Sequence, residues 1–111
     1  MARISTHVLD IAKGAPAAGI GVELRSAGDL IRESTTNSDG RTDAPMVVAD
    51  RIAPGYYEMV FHVEAYLRAE RPSEPAFYDD ITIRFLVDNE TGHYHIPLLL
   101  AAHGYSTYRG S

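Results

Sequence analysis

The chain has 111 residues, a net charge of −5, five histidines and seven tyrosines, and it lacks cysteine and tryptophan. That length makes one domain, residues 1–111, with enough chain to bury a single core. The absent cysteines exclude a disulfide framework, a thiolate metal site and a cysteine nucleophile; the acidic balance argues against a nucleic-acid partner; and no apolar run approaches the ~18 residues of a membrane span.

Met1–His7 has no apolar stretch of the kind found in export signals, which predicts a cytoplasmic protein. The rest reads as short alternating runs between turn signals, the pattern of an all-β sandwich or barrel. In Ile4–Leu9, Ile4, Thr6 and Val8 share one face and Ser5, His7 and Leu9 the other. Lys13–Pro16 reads as a loop. Gly19–Arg25 alternates, with Ile20, Val22 and Leu24 inward. Leu30–Asn37 is polar and threonine-rich, as suits an edge strand. Ser38-Asp39-Gly40 is a turn in which glycine supplies a positive φ, and it delivers Arg41. Met46–Ile52 is either a short strand or an irregular connection. Tyr56–Val63 is a strong strand with Tyr57, Met59, Phe61 and Val63 on one face. Glu64–Arg71 is the only helical segment, ended by Pro72. After a loop over Pro72–Asp80, Ile81–Val87 alternates with Ile81, Ile83, Phe85 and Val87 inside. Asp88–Gly92 is a hairpin-type connection, and His93–Leu100 and Tyr105–Arg109 close the chain as two strands.

Proton transfer near neutral pH points to the histidines. His93 and His95 are two apart on a strand and face the same way, which suits either half of a zinc site or a half-buried polar pair. His7 lies opposite the core-facing Ile4 and Val8, and Arg41 follows a turn, where functional groups are often displayed. Tyr108 and Arg109 alternate on the last strand and so face opposite ways. The ending Tyr108-Arg109-Gly110-Ser111 carries an unusual density of recognition groups for a chain terminus. His62 and His103 have no supporting context and read as surface residues. No Gly-x-Ser-x-Gly elbow and no glycine-rich phosphate loop is present.

Five segments together resemble the 5-hydroxyisourate hydrolases, the transthyretin-like enzymes of urate degradation. They are Ser5–Asp10, Gly14–Gly19, Thr36–Arg41, His93–Leu100 and Tyr108–Ser111. The resemblance spans the chain, and the terminal tetrapeptide is its most specific part. It implies a transthyretin-like sandwich of two antiparallel sheets with one short helix. It implies a homotetramer with active sites at the dimer–dimer interface, and hydrolysis of 5-hydroxyisourate without cofactor or metal. Carried over by position, His7, Arg41 and His95 would be catalytic, and His7, Arg41, Tyr108 and Ser111 would bind substrate. Ala101-Ala102-His103-Gly104 and Asp79 depart from the family pattern, both in connecting loops. The rival readings are a transthyretin-type carrier of an aromatic ligand and a β-sandwich interaction module.

Overall fold

The computed structural model describes all residues, Met1–Ser111. Ten elements follow in chain order: β1 (Ala2–Asp10), β2 (Ala15–Pro16), β3 (Gly21–Ser26), β4 (Asp29–Thr35), β5 (Val47–Ala49), β6 (Gly55–His62), α1 (Glu64–Glu70), β7 (Asp80–Val87), β8 (His93–Ala101) and β9 (Gly104–Thr107). One sheet has the order β2-β1-β8-β9, with β5 also on β1; the other has the order β4-β3-β6-β7. The alternating apolar faces meet between them. Ile4, Val8, Ile96, Leu98 and Leu100 come from the first sheet, and Val22, Leu24, Met59, Phe61 and Ile81 from the second. Each such side chain contributes roughly 1.5–3 kcal/mol on burial.

The second sheet is antiparallel throughout. The first departs from the expected all-antiparallel pattern, because β1 and β8 run parallel, from Arg3 opposite His93 to Asp10 opposite Leu100. Parallel neighbours need a long crossover. Here it is the whole chain between them, including the second sheet, so no hairpin rule sets their direction.

Other differences are local. Ala15–Pro16 is not loop but a two-residue strand, pairing Leu9 with Pro16 and Asp10 with Ala15. Buried Asp10 closes this turn by accepting the amide N–H groups of Ala12 and Lys13, both at 3.0 Å. It also accepts the Tyr66 hydroxyl at 2.7 Å, tying α1 to the end of β1. The ambiguous Met46–Ile52 segment contains the short strand β5, which pairs with Ala2–Ile4 of β1. Ile83 and Phe85 are only half-buried, because β7 is the edge of its sheet. β4 is the opposite edge and is almost wholly exposed, as its polar sequence implied. The last strand stops at Thr107, so Tyr108 and Arg109 lie beyond it.

Candidate active site

The outer face of β1 carries Arg3, Ser5 and His7 at alternate positions, and the parallel register sets Ser5 opposite His95. Ser5 Oγ and His95 Nδ1 are 2.8 Å apart and share a hydrogen bond. A hydroxyl can donate or accept, so this contact serves either tautomer of the ring. It leaves Nε2 of His95 free.

Arg41 reaches the same place by way of its turn. The Asn37 side-chain oxygen accepts the Asp39 and Arg41 amides at 2.9 and 3.3 Å, and the Gly40 amide returns to the Asn37 carbonyl at 2.9 Å. Buried Thr36 anchors the base of the turn, donating to the Ala17 carbonyl at 2.8 Å and accepting the Ile20 amide at 3.0 Å. The turn is then sewn to β1: the Val8 amide donates to the Gly40 carbonyl at 2.8 Å, and His7 and Arg41 form an isolated antiparallel bridge. Only glycine fits at position 40. Its φ is +75°, and a Cβ there would lie 2.3 Å from the Val8 carbonyl oxygen. His7 Nε2 lies 2.8 Å from the Asp39 carbonyl oxygen, which can only accept. Nε2 therefore carries the hydrogen, and in the neutral ring Nδ1 holds the lone pair.

The tail closes the site. The Gly110 amide donates to the His95 carbonyl at 2.8 Å, so the chain returns to the sheet after leaving it at Thr107. A Cβ on Gly110 would lie 2.5 Å from Cδ2 of the His95 ring, so the backbone packs directly on the imidazole. The Arg109 guanidinium lies over the buried Tyr94 ring, 4.5 Å from its centroid. Tyr108 instead lines the space in front of His95.

That space is a cavity of about 460 Å³, walled by Arg3, Ser5, Arg41, His95, Tyr108 and Ser111 together with Thr6, Thr42, Pro45 and Gly110. No acidic side chain is in its wall. His95 is held below its ordinary value near 6.5, first by burial and then by the positive charges of Arg41, His7 and Arg3. It is thus neutral, and able to take a proton, at neutral pH.

Of the residues singled out from sequence, Arg41, His95, Tyr108 and Ser111 meet in one wall. His7 sits beside them, bridged to Arg41 and close enough to bias His95, but it does not line the cavity. The sequence reading missed Arg3 and Ser5. Starting the first strand at Ala2 rather than Ile4 puts Arg3 on the face of Ser5 and His7. His93 shares the side of His95 but turns to the Met1 carbonyl, 3.0 Å from Nε2. No group of three or more His, Asp or Glu side chains is placed to hold a metal ion. His62 does have partners: it sits between Glu23 at 2.5 Å and Asp80 at 2.7 Å on the outer face of the second sheet.

The HIUase/Transthyretin family matches residues 4–110. The chain belongs to that family. It is 48% identical to a 5-hydroxyisourate hydrolase of Deinococcus radiodurans, over 97% of this chain and 95% of the relative. The solved structure of Klebsiella pneumoniae 5-hydroxyisourate hydrolase superposes with a TM-score of 0.85 at 34% identity, covering 100% of both chains. Transthyretin from Sparus aurata superposes nearly as well, with a TM-score of 0.84 over 97% of this chain and 96% of that one, but at 22% identity it shares the fold alone. The sandwich with one short helix is therefore the transthyretin-like fold.

Proposed function

We propose that this chain hydrolyses 5-hydroxyisourate to 2-oxo-4-hydroxy-4-carboxy-5-ureidoimidazoline, a step of urate breakdown. The observation that carries the reading is a neutral, half-buried His95 in the wall of a cationic cavity large enough for a bicyclic ring. Near-full-length relatives bearing the hydrolase name support it. The reaction needs an activated water, a stabilised tetrahedral oxyanion and a grip on a flat polar ring.

His95 lines the cavity, so its free Nε2 takes the water proton while Ser5 holds Nδ1. His7 acts beside it, keeping Arg41 in place through the bridged backbone. Arg41 is permanently charged and forked, which suits the developing oxyanion. Tyr108 and the Ser111 hydroxyl offer ring contact and hydrogen bonds to substrate. Every step is supplied by these side chains, without cofactor or metal.

The polar, doubly cationic wall does not favour the carrier reading, since a carried aromatic ligand would want apolar cover. The family resemblance supports a homotetramer with the cavities at the dimer–dimer interface, and sedimentation at equilibrium tests that assembly. A cytoplasmic location is part of the same proposal, tested by fractionating the host cell. The activity itself is tested by generating 5-hydroxyisourate from urate with urate oxidase and following its ultraviolet decay. Faster decay with this protein supports the reading; an unchanged rate, with thyroid hormone bound instead, replaces it with the carrier.

A further inference from the structure

Most arginines of this chain are neutralised or stacked. Arg25, Arg51, Arg68 and Arg71 each pair with a glutamate, and Arg84 and Arg109 lie over tyrosine rings. Arg32, on the exposed edge strand, has no such partner. The other two without one are Arg3 and Arg41, and both stand in the wall of the same cavity. Two guanidiniums without an ion-pair partner beside a half-buried histidine, with no acidic side chain in the wall, give the cavity a positive potential that favours an anion. Arg3 lies two residues before Ser5 on one strand face, so its Cα is ~6.7 Å from that of the residue holding His95. Its long side chain can therefore reach a group bound in front of His95.

The proposed reaction makes an anion at that spot. The water oxygen bonds to the ring carbonyl carbon, the C–N bond breaks, the ring nitrogen takes one proton, and the new carboxylic acid releases the other. A single carbonyl oxygen becomes a carboxylate with two. We propose that Arg3 is a substrate-positioning residue that binds this carboxylate jointly with Arg41. The inference rests on the hydrolase reading for the identity of the anion, but the two-arginine cradle stands on the cavity alone. It assigns the two arginines different work. Arg41, fixed beside His7 by its turn, meets the oxyanion, while Arg3, on β1 two residues before Ser5, holds the charge once the ring is open.

Orotate and uracil test this by titration calorimetry, because they share a planar ring and differ by a carboxylate. Wild type should bind orotate more tightly than uracil. R3Q should lose about five-fold in orotate affinity, the upper range for an exposed ion pair, with uracil affinity unchanged. R3K should recover part of the loss as a point charge. The groups facing His95 are Arg3, Ser5 and His7 from β1, Arg41 from the turn, and Tyr108 and Ser111 from the tail. Removing one of the two arginines should move the acid limb of kcat/KM to higher pH, which a merely structural arginine would not do. Equal orotate affinity in wild type and R3Q, or no orotate binding by wild type, overturns the proposal. Wild type that binds orotate through Arg3 but leaves 5-hydroxyisourate untouched keeps the cradle and retires the hydrolase reading.

Discussion

The base role we propose for His95 draws on three features at once: the Ser5 hydroxyl at Nδ1, the Gly110 backbone against the ring, and positive charge from Arg41, His7 and Arg3. Because burial and charge lower its proton affinity, the neutral base exists above a value lower than the ordinary 6.5. The acid limb of kcat/KM should accordingly fall below that pH, and a limb above it would contradict the account. His95→Ala and Arg41→Ala should each lower kcat/KM by about 10²–10⁴-fold, the usual worth of a positioned base or oxyanion donor, with Tm little changed. Gly110→Ala is a finer probe. Its methyl group meets the imidazole, so activity should drop sharply while thermal unfolding stays near wild type; an active Gly110→Ala enzyme would mean that the tail does not fix the ring. Much of this was readable in sequence. An Asp39-Gly40 turn delivering Arg41 and a His-x-His strand are local signals. Ser5 was hidden because its meaning comes from a parallel register set by chain many residues away, and Arg3 because it lay before the first apolar residue that marked the strand.

At the level of elements, alternation located nearly every strand, and the helix boundary at Pro72 followed from proline's own stereochemistry. What alternation lacks is direction and partner, which explains both the parallel β1–β8 pair and the two-residue β2. It also carried the last strand through Tyr108 and Arg109, where the chain instead detaches so that Gly110 can rejoin at His95. The β3–β4 hairpin shows a local cost. Ala27 has φ +52° and Gly28 +84°, the positive pair that a primed two-residue turn requires. An alanine there is strained, so Ala27→Asn should stabilise by about 1 kcal/mol and raise Tm by about 4 °C. On the outer face of the second sheet, His62 joins β3, β6 and β7 through Glu23 and Asp80. The Asp80 hydrogen bond raises its proton affinity most; burial opposes it, and the Glu23 hydrogen bond and both carboxylate charges add to the rise. Its contribution to stability is therefore full below the ordinary 6.5 and fades as pH rises through the raised value. His62→Gln should lower Tm more at about pH 6 than at about pH 9; equal losses would show that charge is not what the pair supplies.

For the molecule as a whole, the two sheets do separate work. The second is a packed support, while the first carries the cavity on its outer face, away from the core, with the Asn37–Arg41 turn and the tail as its rims. No helix is long and apolar enough to cross a membrane. The cavity opens on an outer sheet face, so a covering subunit would enclose it, and the homotetramer we propose supplies that cover. The central claim is that this cavity hydrolyses 5-hydroxyisourate with protein side chains alone. The direct measurement is the decay rate of 5-hydroxyisourate, generated in place from urate, with the purified protein before and after exhaustive chelator treatment. The account predicts acceleration of equal size in both samples, lost in His95→Ala. No acceleration, or acceleration abolished by chelator and restored by zinc, would contradict it.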